Sequence, residues 1–226
     1  MPQEPIVLLW SGGKDSTLAL MRLRQRYRIY GLLTTFTEGY DRVTMHGVRR
    51  ALLEAQVRAL GERLLPLTIR PCCSNEEYDA QMRAMLLELK SLGITKIASG
   101  DIFLEEVRRY RQERLSELGF ELVTPLWGCD SRALVEEFLA LGLRAITVCV
   151  STRWLDARFV GRELGREFWQ ELPSTIDPCG ENGEFHSFVY DGPPFLQPVR
   201  FYLGEKVLRD GHYYCDLVPY QGDGAR

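Results

Sequence analysis

The first candidate site for chemistry is the segment Trp10–Thr17, which reads Trp-Ser-Gly-Gly-Lys-Asp-Ser-Thr and follows a short apolar run. Its two adjacent glycines permit a tight turn and a close approach of the backbone to a ligand. A helix beginning at Ser16 would direct amide donors and the positive end of its dipole into that turn. The lysine adds a mobile positive charge, and the serines add hydroxyl donors. The segment therefore predicts a phosphate-binding loop made of Ser11, Gly12, Gly13, Lys14, Asp15 and Ser16.

This loop differs from a Walker A motif in two places. Leu8 stands where that motif needs its first glycine, and Asp15 stands where it needs Ser or Thr. A carboxylate beside phosphates is repulsive unless a cation lies between them. We therefore predict that Asp15 and Asp101, which with Gly100 follows the fourth predicted strand, contact a Mg²⁺ ion near the phosphates. The alternative for Asp15 is a carboxylate that the dipole favours at a helix start.

A second candidate site is the glycine-rich segment 180–187, which reads Gly-Glu-Asn-Gly-Glu-Phe-His-Ser. Residues 167–199 around it hold six acidic side chains, six aromatic ones and no Lys or Arg. This composition suits a cationic substrate, since cation–π contacts contribute about 0.5–2 kcal/mol. Glu181, Glu184 and His186 are the candidates for moving a proton, and the last two share a face if the chain is extended. The alternative is that most of the aromatic residues are core and the acidic ones lie on a solvated loop.

Apolar runs and helical patterns alternate from residue 5 to about residue 127. Strands are expected at 5–10, 28–36, 63–70, 95–99 and 120–124, and helices at 16–27, 47–61, 74–92 and 104–118. The alternation predicts an α/β fold with a doubly wound, mostly parallel sheet. Ligands of such sheets bind beyond the carboxyl ends of the strands, which is where both the phosphate loop and residues 100–101 lie.

The pattern changes after Trp127 and Gly128, and we predict one domain at 1–128 and a smaller α+β domain at 129–226. The second domain is expected to contain helices at 131–141 and 156–171, a strand at 143–150, a Pro/Gly-rich segment at 173–194, and antiparallel strands joined by a hairpin at Asp210-Gly211. In the first domain the charged helix 105–114 is expected to be a solvated face, from which Glu105 or Arg108 could reach the cleft.

Composition excludes several classes of protein. The 226 residues are 45% hydrophobic and 26% charged, as in a globular protein, and no apolar run approaches the roughly 18–20 residues of a membrane span. The N-terminus lacks a secretory pattern, so we expect a cytoplasmic protein without a membrane partner. A net charge of −3 with no basic tail makes nucleic acid an unexpected partner. The six cysteines form no C-x-x-C pair, and His46 and His212 are expected to be structural.

The hexapeptide Ser11–Ser16 resembles the signature of the PP-loop ATP pyrophosphatases, in the adenine nucleotide alpha-hydrolase-like superfamily. Three further segments narrow the resemblance, namely 45–49, 100–102 with 125–128, and 180–193, which reads GENGEFHSFVYDGP. The last is similar to the hallmark of the diphthine–ammonia ligase family. Archaeal and eukaryotic members of that family carry a pattern like G-A-I-x-S-x-Y-Q after the fourth strand. The segment 100–110 departs from this pattern and is similar to the bacterial branch.

The resemblance implies a Rossmann-like domain of the HUP type and the reaction ATP + carboxylate + ammonia → amide + AMP + pyrophosphate. For this reaction we expect residues 11–16, Gly100 and Asp101 to bind ATP, with Mg²⁺ at Asp15 and Asp101 for the electrostatic reason given above. The catalytic residues would be Lys14, Glu181, Glu184 and His186, and the substrate contacts Asn182, Glu105 and Arg108. The carboxylate would be a small molecule or borne by a protein, and the ammonia free or supplied by a separate partner.

Two other functions stay open from the sequence. One is a PP-loop sulfur-transfer or tRNA-modifying enzyme, for which Cys179 beside the glycine-rich segment is the supporting feature. The other is a sensor that binds ATP without turnover, against which the second polar segment speaks. A homo-oligomer is compatible with the sequence.

Overall fold

The computed structural model describes residues 3–220 of the chain, so residues 1–2 and 221–226 of the two predicted domain ranges lie outside the described residues. The first half contains strands β1 (Pro5–Leu9), β2 (Arg28–Thr37), β3 (Arg42–Val43), β4 (Leu64–Ile69), β5 (Lys96–Ala98) and β6 (Glu121–Val123), and helices α1 (Lys14–Arg24), α2 (Arg50–Ala59), α3 (Asn75–Ser91) and α4 (Glu105–Ser116). The second half contains α5 (Ser131–Ala140), β7 (Arg144–Ser151), α6 (Arg166–Glu171), β8 (Phe185–Asp191), β9 (Phe201–Arg209) and β10 (His212–Pro219).

The first half forms the predicted doubly wound sheet. Five parallel strands lie in the order β4-β2-β1-β5-β6, and the short β3 pairs antiparallel with the end of β2. From β1 the chain builds the sheet first toward β2 and β4, and then in the opposite direction toward β5 and β6. The strand order reverses between β1 and β5, so the loops that leave these two strands open a crevice there.

The parallel sheet is covered on both faces. Ile6 and Leu8 of β1 belong to one hydrophobic cluster and Val7 to another, and all three are fully buried. Burial on both faces explains why this strand is a continuous apolar run. The larger cluster continues into the second half through residues such as Phe188 and Leu217. The two halves therefore share one core, and the predicted boundary near residue 128 stays a prediction.

The second half is built on an antiparallel sheet in the order β8-β7-β10-β9. The expected hairpin at Asp210-Gly211 is confirmed, with φ angles of 50° and 75° that suit a two-residue turn between β9 and β10. Two strands have no counterpart in the sequence prediction: β3 and β8, the latter inside the Pro/Gly-rich segment. Helix α1 also begins two residues earlier than expected, at Lys14.

The predicted helix 156–171 is wrong. The structure has a 3₁₀ turn at Ala157–Phe159 and the short α6, and between them lies a segment with a turn at 160–161 and a single β-bridge at Glu163. That segment pairs with β7, since the N–H of Gly161 donates to the backbone oxygen of Thr147 at 2.8 Å. β10 pairs with β7 only over Cys149–Ser151, so the earlier part of that edge of β7 is open for this pairing. Backbone hydrogen bonds to a strand edge thus outweigh the helical pattern.

Across residues 3–220, no helix combines the length and the apolar character that crossing a bilayer requires.

Candidate functional site

The phosphate loop connects β1 to α1 in a conformation that needs its glycines. Gly12 has a φ of 81°, and a Cβ at this position would lie 2.8 Å from the side-chain oxygen of Gln56. Gly13 is the N-cap of α1 and has no side chain to cover the end of the helix. The first-turn amides of Asp15 and Ser16 have no intrahelical partner, so they are donors for a ligand in the loop.

Lys14 is nearly fully buried at the start of α1, with 3% of its surface exposed. Its Nζ donates to both carboxylate oxygens of Asp15, at 3.0 and 2.8 Å, and to the backbone oxygen of Cys179. Burial is the largest influence on the pKa of Lys14 and lowers it, but the charge and hydrogen bond of Asp15 together with the charges of Cys179 and Asp177 outweigh burial, and the pKa is raised. The lysine is therefore a positive charge whose present partners a phosphate could replace.

The second half of the chain supports this loop directly. The hydroxyl oxygen of Ser187 in β8 accepts a hydrogen bond from the N–H of Lys14 at 3.1 Å, although the two residues are 173 apart in sequence. The N–H of Val189 donates to the oxygen of Gly12 at 2.9 Å. β8 thus fixes the position of the phosphate loop.

Gln56 of α2 ties β8 and the loop together from behind. The side chain has no exposed surface. Its Nε2 donates to the oxygens of Gly12 and Val189 at 2.9 and 2.6 Å, and its Oε1 accepts from the indole N–H of Trp10 at 2.9 Å. A buried amide with three partners holds its neighbours in one arrangement.

The loop after β5 forms the opposite wall of the crevice. A Cβ on Gly100 would lie 3.1 Å from the carbonyl carbon of Asp15, so the two loops are in close contact. Asp101 accepts a hydrogen bond from the hydroxyl of Ser99 at 2.7 Å and forms an ion pair with Arg111 of α4. Each carboxylate at the crevice, Asp15 and Asp101, is therefore paired with a cation.

Glu181 lies across the crevice from the phosphate loop. Its Oε1 accepts a hydrogen bond from the N–H of Ile102 at 2.9 Å, which links the glycine-rich segment to the loop after β5. Burial raises the pKa of Glu181 to about 7, opposed by the Ile102 bond and reinforced by the charges of Asp15 and Asp101. A carboxyl group with this pKa can both accept and release a proton at neutral pH.

Glu184 is not brought to the crevice. It is 2% exposed, and its Oε1 accepts from the N–H of Asp177 at 3.2 Å and from Nδ2 of Asn182 at 3.0 Å. The side-chain hydrogen bonds of Glu184 therefore go to Asp177 and Asn182, neither of which lines the crevice. His186 lines the crevice and Glu184 does not, so the two side chains do not face it together.

His186 meets His46, which lies in the turn after β3. The two ring centroids are 4.4 Å apart, with the planes tilted by 36°. Burial lowers the pKa of His46 to about 4, opposed by a hydrogen bond to the backbone of Ser187 and reinforced by the charge of Lys14. The pKa of His186 lies well below its ordinary value, through burial and then through the charges of His46 and Lys14. Both rings are therefore neutral at pH 7, and His46 belongs to the site although the sequence predicts a structural role for it.

One cavity of about 450 Å³ unites these groups. Among the predicted site residues, those that line it are Ser11, Gly13, Lys14, Asp15, Ser16, Gly100, Asp101, Glu181 and His186. Gly12 does not line the cavity; its carbonyl oxygen is held by Gln56 and Val189.

Glu105 and Arg108 do not line this cavity. They border a separate surface depression of about 280 Å³, where the Arg108 guanidinium lies 4.3 Å from the ring centroid of Trp127. The residues that α4 and its N-cap turn toward the central cavity are Leu104, Val107 and Arg111. Their spacing of three and four is one face of a helix, and the predicted pair lies one residue further round.

Among the residues whose contacts build the site, the sequence prediction missed Gln56, Arg111, Ser187 and His46. Gln56 had a readable signal, because it interrupts the apolar stripe of α2. His46 and Ser187 lie in the segments 45–49 and 180–193 that carry the resemblance, but their contacts, like that of Arg111 with Asp101, join separate segments and cannot be derived from neighbouring residues.

Residues 5–122 match the protein-family model described as "Diphthamide synthase N-terminal domain", and residues 130–219 match the one described as "Diphthamide synthase C-terminal domain". The chain belongs to the diphthamide synthase family. This family relationship confirms the resemblance drawn from the motifs.

Curated relatives in this family carry the name diphthine–ammonia ligase. The one from Rattus norvegicus is 24% identical over 94% of this chain and 88% of its own length, and the one from Homo sapiens is 22% identical over the same shares. The one from Schizosaccharomyces pombe is 28% identical over 54% of this chain and 21% of its own length. These names confirm a ligase at the level of the family.

Among solved structures, a predicted subunit of tRNA methyltransferase from Methanocaldococcus jannaschii is similar with a TM-score of 0.43 at 17% identity, over 64% of this chain and 80% of that chain.

Proposed function

We propose that the chain is an ATP-dependent carboxylate–ammonia ligase. It adenylates a substrate carboxylate, releases pyrophosphate and transfers ammonia to the activated acyl group. The observation that carries the proposal is that the phosphate loop and the segment Glu181–His186, far apart in sequence, line one cavity.

The triphosphate binds at the phosphate loop. Lys14 and Arg111 supply positive charge, and each is paired with a carboxylate, Asp15 and Asp101 respectively. Phosphate oxygens can take over these cations, because charge-assisted hydrogen bonds to phosphate are strong. The two carboxylates would then face the phosphates and need a cation of their own.

Mg²⁺ fits that need. It is usually bound by one or two carboxylates together with substrate phosphates, and Asp15 and Asp101 offer oxygens of this kind. In the described part of the chain, no group of three or more His, Cys, Asp or Glu side chains could hold a metal by itself, so we expect the ion to come with the nucleotide. When bound, Mg²⁺ neutralises charge on the phosphates.

The nucleoside binds against the apolar wall of the cavity. This wall includes Leu33 of β2, Tyr78 and Met82 of α3 and Val107 of α4. Tyr78 and Met82 are four residues apart and so lie on one face of the helix. Aliphatic and aromatic side chains suit the flat base of a nucleotide.

The reaction proceeds in two steps. A carboxylate oxygen attacks the α phosphorus, and pyrophosphate leaves while Lys14 and the start of α1 stabilise its charge. Ammonia then attacks the acyl carbon, AMP leaves with the bonding electrons, and Glu181 accepts the proton that nitrogen loses. Positioning supplies much of the acceleration, since well-oriented intramolecular reactions gain about 7–11 kcal/mol.

The first acid to test is diphthine, because the curated relatives are named for it. Diphthine carries a carboxylate and a trimethylammonium group.

A sulfur-transfer reaction is the second candidate, because Cys179 also lines the cavity. Burial raises the pKa of its thiol to about 12, even though Lys14 acts in the opposite direction. Nucleophilic sulfur chemistry requires the thiolate, which is scarce at this pKa. The cavity therefore favours the ligase over sulfur transfer.

The test is an assay of pyrophosphate and amide formation from ATP, Mg²⁺, diphthine and ammonium chloride. Wild type should form both products, and Lys14→Ala should lower kcat/KM about 10²–10³-fold, as expected for the loss of one stabilising donor. The matched control is Lys96→Ala, because Lys96 begins β5 and so lies at the amino end of the strand, opposite to the end that faces the phosphate loop.

Circular dichroism should show that both variants keep the fold. Pyrophosphate release that does not depend on the added acid, or equal activity of Lys14→Ala and Lys96→Ala, would contradict the proposed function.

A further inference from the structure

The two histidines of the cavity contain an unexplained polar atom. Nδ1 of His46 is buried and has no hydrogen-bond partner among residues 3–220. Leaving a buried nitrogen unpaired costs free energy, so such an atom is a candidate for ligand binding. His186 lies beside it at 4.4 Å between ring centroids, and both rings line the cavity.

The chemistry of this pair suits a small neutral donor. A neutral imidazole has one acceptor nitrogen and one N–H donor. Both rings stay unprotonated at neutral pH because burial and the charge of Lys14 lower their pKa values, and His212 acts on His186 in the same direction. Lys14 repels a second cation. The pair therefore offers acceptors for N–H groups in a place that disfavours ammonium and favours ammonia.

We propose that His46 and His186 form the ammonia-binding subsite of this enzyme. The proposal rests on the ligase function argued above and names the residues that hold its second substrate. The pair accepts hydrogen bonds from ammonia and leaves the nitrogen lone pair free for the acyl carbon. The C–N bond forms, the bond from the acyl carbon to the AMP oxygen breaks with its electrons going to AMP, and one N–H proton passes to Glu181.

The alternative occupant of the pair is the α phosphate, to which a ring N–H could donate. The two occupants predict different kinetic effects of His46→Ala. Loss of an ammonia contact raises the KM for ammonium while the adenylation step, measured as ATP–pyrophosphate exchange with diphthine, continues. Loss of a phosphate contact weakens exchange and raises the KM for ATP.

The kinetic experiment compares wild type, His46→Ala and the control His212→Ala. We expect the KM for ammonium to rise about tenfold or more in His46→Ala, as for one or two lost hydrogen bonds, and not to change in His212→Ala. His46→Gln, which keeps an acceptor, should recover part of the loss. An unchanged KM for ammonium together with a raised KM for ATP would overturn the proposal.

A second measurement needs no carboxylic acid and so separates this proposal from the proposed function. Imidazole nitrogen NMR signals of wild type are followed during titration with ammonium chloride, with tetramethylammonium chloride as the control salt. We expect saturable shifts of the His46 and His186 signals, larger at pH 9 than at pH 7 because more free ammonia is present. If these signals do not move beyond the control, the subsite is wrong even if the enzyme proves to be a ligase.

Discussion

Burial of His46 makes the stability of this protein depend on pH in a way that one substitution can isolate. The folded state holds the pKa of this ring at about 4, against an ordinary value of 6.5. Below pH 6.5 the unfolded chain therefore binds a proton that the folded protein refuses. The contribution of the neutral His46 ring to the free energy of unfolding is fully present above pH 6.5 and is lost as the pH falls toward 4.

The size of the effect follows from the shift. One pKa unit corresponds to about 1.36 kcal/mol, so a fall from 6.5 to about 4 costs about 3 kcal/mol when the titration is complete. At pH 5 the same linkage has removed about 2 kcal/mol relative to pH 7.5. His186 acts in the same direction, since its pKa is also lowered.

The assay is urea unfolding followed by tryptophan fluorescence at pH 7.5, 6 and 5. Between pH 7.5 and pH 5 the free energy of unfolding of the wild type should fall by about 2 kcal/mol more than that of His46→Asn, because Asn cannot take up the proton. The carboxylates are common to both proteins and cancel in the difference, whereas His186 in the variant loses only the part of its lowered pKa that the charge of His46 causes. Parallel stability curves for wild type and His46→Asn would refute the idea that the folded protein keeps this ring neutral.

Three further substitutions test the geometry of the cavity. Arg111→Ala should weaken ATP binding about tenfold in calorimetry, as for a lost charge-assisted contact, whereas Arg108→Ala, one helix position from the cavity face, should have little effect; equal effects would contradict the placement of α4. Gln56→Leu leaves the partners of a fully buried amide unpaired, so it should lower the free energy of unfolding by about 2–4 kcal/mol and also raise the KM for ATP, as measured by denaturation and kinetics; a stable variant with unchanged KM would show that the loop needs no such support. Gly100→Ala places a Cβ 3.1 Å from the backbone of Asp15, so the phosphate loop must shift and ATP binding should weaken while the fold survives, in contrast to Gly165→Ala, where a Cβ meets nothing within 4 Å; an unchanged ATP affinity of Gly100→Ala would show that the two loops need not touch.

Features that depend on neighbouring residues could be predicted from the sequence. The phosphate loop follows from two glycines and a lysine at the end of an apolar run, and Ser74 with Glu77 forms the expected capping box at the start of α3. The Asp210-Gly211 hairpin is local in the same sense, because its backbone angles are those that these two residue types tolerate.

The errors arise where a distant segment competes with local preference. The pattern at 156–171 favours a helix, but the open part of the β7 edge offers backbone partners that a helix would not use. Arg108 and Arg111 are equally good candidates in the sequence. Only the rotation of α4 about its axis, set by packing against the sheet, turns one toward the cavity and the other toward Trp127.

The sequence by itself determined the doubly wound sheet, the phosphate loop and the carboxyl ends of the strands as the place where a ligand should bind, because periodicity and turn chemistry act over a few residues. The tertiary structure alone decided which side chains surround that ligand. His46 meets His186, and Ser187 meets Lys14, only because β8 of the second half packs against the end of β1 and α1. Such contacts depend on how whole elements pack against one another, and that information is spread over the core rather than written beside the residues it brings together.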